Sequence, residues 1–151
     1  MIYTERINND LKKAMLERDK DKLEAIRAVK SAFIMARSDK GAGSELTEPE
    51  EIKILQKLVR QRKDSAVIYK DQNRMDLYEK EMMEASVIEA YLPAQMNENE
   101  IRIVVDKIIA LTGATGMKDM GKVMGTVTQE LAGNADSKII SGIVKELLSG
   151  K

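Results

Sequence analysis

The sequence predicts an all-α protein, a four-helix N-terminal domain followed by a small three-helix tail, on three observations. Apolar residues recur at three- and four-residue steps through almost the whole chain, and no stretch alternates as a strand does. Asp, Thr or Asn followed by acidic residues precedes several of these stretches, as helix starts require. Glycine or proline closes most of them. With 43% hydrophobic residues among 151, a core can form, but one Phe and no Trp make it aliphatic and rich in methionine.

The first helix is expected from about Thr4 to Glu17, with Ile7, Leu11 and Met15 on one face. The run Arg18-Asp19-Lys20-Asp21 interrupts it, and Asp21 is placed to cap a second helix. That helix carries Leu23, Ile26, Val29 and Phe33 inward and fails near Gly41-Ala42-Gly43. Thr47-Glu48-Pro49-Glu50 is a capping box with proline in the first turn. The third helix then runs to about Asp71, where Asn73 can end it. A fourth, from about Met75 to Tyr91, turns Tyr78, Met82, Ala85 and Ile88 inward. Pro93 stops it and divides the chain into domains at 1–93 and 94–151.

Asn97-Glu98-Asn99-Glu100 opens the fifth helix, which carries Ile101, Val104, Val105, Ile108 and Leu111 and ends at Gly113. The sixth is expected from about Met117 to Leu131, with Gly133 just beyond its end. Asp136 caps the seventh, whose inward residues are Ile140, Ile143, Val144 and Leu147.

Composition excludes more chemistry than it suggests. There is no Cys, hence no disulfide or thiolate nucleophile, and no His, the commonest general base and metal ligand. No cofactor, metal site or catalytic residue is expected. Ser65 beside Asp64 and Lys63 reads as ordinary surface chemistry, and Glu81 with Glu84 lacks the desolvation that separates an acid from a base. Gly41-Ala42-Gly43 lacks the preceding strand of a nucleotide-binding loop. Lys+Arg and Asp+Glu both number 25, so a nucleic-acid surface would have to be a local patch. No apolar run approaches the roughly 18–20 residues that span a bilayer, and no hydrophobic leader precedes the first helix. A soluble, cytoplasmic protein that touches no membrane is expected.

Two regions stand out. On the third helix Lys53, Lys57, Arg60, Lys63 and Lys70 share an arc of roughly 140°, a stripe able to follow a phosphate backbone or to pair with the acidic fourth helix. Arg62 instead falls on the apolar side, where a clamp to Glu84 or Glu89 is expected. In the tail, Gly121 and Gly125 share a face and each costs about 1 kcal/mol relative to Ala. Close packing, with Gly142 as the matching small residue, is the first expectation; a ligand backbone beside Lys122 is the second. Met117, Met120 and Met124 are expected in the core. The turn Gly133-Asn134-Ala135-Asp136 brings a helix start close to Lys138.

Several of these residues carry a resemblance. The segment from Leu58 to Ala66 with Tyr69, Arg74 with Asp76 and Leu77, Glu81 with Glu84, and Tyr91-Leu92-Pro93-Ala94-Gln95 are similar to the YqeY family. So are the stretch from Met120 to Gly125 and the Gly133–Asp136 turn. The family often has Gly before the Arg at the turn between the third and fourth helices; Asn73 stands there and tolerates the left-handed backbone.

The resemblance extends from the tail to the tail of the B subunit of the tRNA-dependent amidotransferase, a helical appendage that contacts the tRNA while amidation lies elsewhere. Gly121, Lys122, Gly133 and Ala135 match its Gly-Lys and Gly-x-Ala motifs. The resemblance implies a helical fold and a non-catalytic accessory that binds tRNA or another structured RNA. The contacts would come from the third-helix stripe and the Lys122/Lys138 region. A protein-interaction adaptor for an amidotransferase-like partner is the second reading. A glutamine-dependent carbon–nitrogen ligase activity is the third, but the amidotransferase's kinase-type site and its serine glutaminase have no counterpart in these residues.

Overall fold

The computed structural model describes residues 2–150, which form seven α-helices and no strand. They divide into two compact units, Met1–Leu92 and Pro93–Lys151.

In the first unit, α1 (Ile2–Glu17), α2 (Lys20–Lys40), α3 (Glu48–Asp71) and α4 (Met75–Glu89) surround one core. Ile7, Ile26, Val29, Phe33, Leu55 and Ile88 are its most deeply buried large side chains. Each such burial contributes about 1.5–3 kcal/mol, and the spread of these residues over all four helices makes the unit cooperative. The most extensive pairing is α3 against α4, while α1 lies on α2 and α2 packs against α4.

The turn between α1 and α2 is tighter than expected. Asp19, not Asp21, is the cap: its side chain accepts from the Lys22 N–H at 3.2 Å. Arg18 sits in the left-handed region at φ 56°, which reverses the chain within two residues. Asp21 falls inside the first turn, where its charge still favours the helix dipole. Met15 also departs from expectation, being 53% exposed while Ala14 is buried. The inward stripe of α1 passes from Tyr3 and Ile7 to Ala14 at a seven-residue step, with Leu11 packed at its edge.

The start of α3 follows the pattern of its residues. The Thr47 hydroxyl accepts from the Glu50 N–H while the Glu50 carboxylate accepts from the Thr47 N–H at 2.7 Å. Glu50 also receives the Lys40 ammonium at 2.8 Å, which ties the end of α2 to the start of α3. Lys40 and the Thr47 N–H together hold the Glu50 carboxyl at about 2 instead of the usual 4.5. A depressed carboxylate adds stability above its unfolded value and loses it as pH falls through its folded one. Glu50→Gln should therefore lower the midpoint of thermal melting at neutral pH, and the gap to the parent should close as the pH falls from 4.5 toward about 2. A gap that persists unchanged in acid would show that the carboxylate charge is not what ties the two helices.

Asn73 takes the left-handed conformation at φ 57°, and this reverses the chain between α3 and α4. α4 ends at Glu89, before the expected Tyr91, because its last bonds tighten to three-residue spacing, from Tyr91 N–H to the Ile88 carbonyl and from Leu92 N–H to that of Glu89. The tightened end aims Tyr91 into the core, where its hydroxyl donates to Asp10 of α1. Burial, followed by that carboxylate partner, pushes the phenol above its ordinary range and keeps it a donor.

The second unit comprises α5 (Glu98–Thr112), α6 (Met120–Glu130) and α7 (Ser137–Ser149) around a wholly aliphatic core. Asn97 caps α5 and Asp136 caps α7, the latter accepting from the Lys138 N–H at 2.9 Å. Gly113 closes α5 at φ 68°, a left-handed end for which glycine is suited. Leu111 does not join the core; it is 76% exposed, and Ile109 takes the inward place. Two apolar residues near a helix end compete for one face, and the tight Gly113 turn resolves the competition toward Ile109, whose carbonyl accepts from the Ala114 N–H. Met117–Asp119 form a separate 3₁₀ turn instead of the first turn of α6, held by the Asp119 carboxylate accepting from the Thr115 N–H at 2.9 Å.

Candidate nucleic-acid interface

The stripe expected on α3 is only partly available. Lys53 and Lys57 are exposed, and Arg60 is half-buried. Lys63 reaches across to Glu89 of α4 at 3.2 Å, and the Lys70 ammonium lies 5.7 Å from the centre of the Tyr78 ring. Two of the five cations are thus turned toward α4, in keeping with its acidic character.

Arg62 behaves differently, as its position predicts. Its Nε lies 3.3 Å from the Glu84 carboxylate, with both side chains largely out of water, and its NH1 donates to the Leu58 carbonyl at 3.5 Å. The Nε makes no well-aligned hydrogen bond, so the pair is held by charge more than by direction. Burial pushes the Glu84 carboxyl above its usual range; Arg62 pulls it back and Glu81 adds to the rise. In this pair, desolvation outweighs attraction.

In the tail the glycine packing expectation fails. Gly121, Gly125 and Gly142 are all exposed, and a Cβ built on any of them would meet nothing within 4 Å. The helices of this unit approach through Val123, Val127, Ile140 and Val144, which face the opposite way. Residues four apart do share a face, as the spacing says, but that face is the outer one. Met120 and Met124 pack at the edge of the core, while Met117 is 43% exposed and lies outside it. Lys118, Lys122 and Lys138 are exposed, and among the described residues none forms an ion pair. By contrast Arg102 of α5 is engaged with Glu146 of α7 at 2.7 Å, and that guanidinium lowers the Glu146 carboxyl.

The Gly133–Asp136 turn has a structural task that the sequence did not reveal. The Gln95 amide donates to the Gly133 carbonyl at 2.8 Å, the Met96 N–H to the Asn134 carbonyl at 2.8 Å, and the Asn134 amide to the Ala94 carbonyl at 3.1 Å. These bonds pin the start of the tail to the turn between α6 and α7. Gly133, at φ 82°, supplies the left-handed residue that the turn needs. The only available hint was Gln95, two residues past Pro93.

Among the described residues, no three His, Cys, Asp or Glu side chains stand close enough to hold a metal ion. No helix among them is long and apolar enough to cross a membrane.

Fold and site together define a small all-helical protein whose second unit shows a bare glycine face and exposed lysines. A sequence-family model described as "Yqey-like protein" matches residues 4–148, and the chain belongs to that family. Three relatives share the name "Altered inheritance of mitochondria protein 41, mitochondrial". One, from Pyrenophora tritici-repentis, is 32% identical over 99% of this chain and 83% of its own length. A second, from Meyerozyma guilliermondii, is 29% identical over 96% of this chain and 79% of its own. The third, from Clavispora lusitaniae, is 30% identical over 91% of this chain and 82% of its own.

These names correct the cytoplasmic expectation, since all three relatives are described as mitochondrial. That expectation leaned on the lack of a membrane-length apolar run and of a hydrophobic leader, and neither feature distinguishes the cytoplasm from a compartment whose targeting segments are amphipathic.

Proposed function

We propose that this chain is a non-catalytic binding module whose tail takes structured RNA of tRNA-like shape on the outer face of α6. The observation that supports this reading is the open space over Gly121 and Gly125, beside Lys122. Two glycines in an eleven-residue helix cost about 1 kcal/mol each, and no neighbour in the unit offsets that cost by close approach. A phosphodiester backbone lying along the bare face would do so, with Lys118, Lys122 and Lys138 neutralising it. Recognition of this kind reads shape and phosphates rather than base edges.

The test is a titration of labelled tRNA and a length-matched RNA duplex at low and moderate salt. Affinity for tRNA should exceed that for the duplex and fall steeply with salt. Gly121→Ala/Gly125→Ala separates fold from function: with open space at both positions the variant should melt at a higher temperature, gaining about 1 kcal/mol per site, yet bind tRNA more weakly. Unchanged tRNA affinity in that variant and in Lys118→Gln/Lys122→Gln/Lys138→Gln would remove the tail face from consideration. A second reading, a helical adaptor for an amidotransferase-like partner, is favoured by Ile103 and Leu111, 69% and 76% exposed on α5. Absence of RNA binding even at low salt would leave that reading in place.

A further inference from the structure

A cavity lies in the first unit, apart from the α3 stripe and the Arg62–Glu84 pair. It has a volume of about 550 Å³ and opens between α1, the second half of α2 and the loop that follows α2. That is within the roughly 300–1,000 Å³ range of small-molecule sites. Ile7 and Phe33, both 1% exposed, form its apolar floor, and Ile34, 51% exposed, stands at its side.

Its cations are placed with unusual economy. Lys30, Phe33, Ile34 and Arg37 stand at i, i+3, i+4 and i+7 of α2, so all four project from one face toward the cavity. Both cations are half-buried, and among the described residues neither has a carboxylate partner. Arg37 donates its Nε to the Phe33 carbonyl at 3.4 Å, and among the described residues its two terminal nitrogens have no hydrogen-bond partner. A half-buried guanidinium ordinarily finds a carboxylate or several carbonyls. Elsewhere in this unit the partly buried Arg62 follows the pattern with Glu84. The one carboxylate in the lining is Glu45, which is exposed, so two cations face one anion.

We infer that this cavity binds an amphipathic monocarboxylate, its aliphatic body against Ile7, Phe33 and Ile34 and its carboxylate on the Arg37 fork with Lys30 beside it. The apolar floor rules against an inorganic anion as the fitting occupant, and the two unpaired cations rule against a neutral lipid-like molecule. The guanidinium presents parallel N–H donors that match a carboxylate edge, and a partly dehydrated setting strengthens the contact.

The probe is octanoate, followed by amide chemical shifts of the full chain, with 1-octanol and acetate as controls. Octanoate should shift the amides around Phe33, Arg37 and the loop after Gly41 in a saturable way. Octanol, which lacks the charge, and acetate, which lacks the body, should each bind at least about tenfold more weakly. Arg37→Gln/Lys30→Gln should weaken octanoate by about tenfold and leave octanol unchanged. Ile34→Asp, at a half-exposed position that leaves the core intact, should abolish octanoate binding. Equal binding of octanoate and octanol, equal binding of octanoate and acetate, or the absence of saturable shifts would each overturn the assignment. None of these outcomes bears on RNA binding by the tail.

Discussion

Replacing Glu84 alone by leucine should destabilise the first unit by about 3 kcal/mol, whereas Arg62→Met/Glu84→Leu should leave it about as stable as the parent or more so. The single change strands the Arg62 guanidinium on the apolar side of α3, where among the described residues the Leu58 carbonyl at 3.5 Å is its remaining acceptor. The double change removes both desolvated charges and fills the same space with apolar atoms. The raised Glu84 carboxyl already says that burial costs more than Arg62 returns. A carboxyl raised on folding lends stability that is full below its unfolded value and is lost as pH rises through its folded one. The double variant, lacking that group, should therefore gain on the parent between acid and neutral pH. Tyrosine fluorescence during urea unfolding isolates this unit, because Tyr3, Tyr69, Tyr78 and Tyr91 all lie in it and the chain has no Trp. A double variant as damaged as the single one would mean that the pair is a net stabiliser of this fold.

What could be read in the residues divides by the range of the interaction responsible. Caps and stops are local, and the box at Thr47, the caps at Asn97 and Asp136 and the left-handed Asn73 all stand where their side-chain chemistry puts them. Arg62 was legible because a cation flanked by Leu55, Val59 and Ala66 can only point into a helix neighbour. Periodicity was less secure at helix ends. Ala14 over Met15 and Ile109 over Leu111 are decided by how far the stripe drifts before the chain turns, a matter of one residue in the adjacent loop. The glycine pair shows a deeper limit: spacing says that Gly121 and Gly125 share a face, but only the positions of α5 and α7 decide that this face looks outward. The cavity beside Arg37 was not visible at all. Its floor comes from α1 and α2 together and its cations from α2, and the cavity is closed on one side by the loop from Gly41 to Glu45.

Ile140→Ala should unfold the tail, and the reason lies in the size of its core. Ile101, Val105, Val123, Val127, Ile140, Val144 and Leu148 form that core without one aromatic ring. A unit of this length gains only about 3–5 kcal/mol from a single core, whereas truncating a buried isoleucine to alanine removes about 2–5 kcal/mol. Ile140 is 1% exposed, so little of that loss can be relieved by water. Leu111→Ala, at 76% exposure, is the matched control and should change little. Fluorescence cannot follow this event, since the tail carries no aromatic residue; amide hydrogen exchange can. Amides of α5, α6 and α7 should lose their protection together in Ile140→Ala, because each helix buries its face only against the other two. Protection that survived in all three would mean that the core tolerates the cavity. Loss confined to α7 would mean that α5 and α6 hold together without it, which their aliphatic contacts alone give no reason to expect.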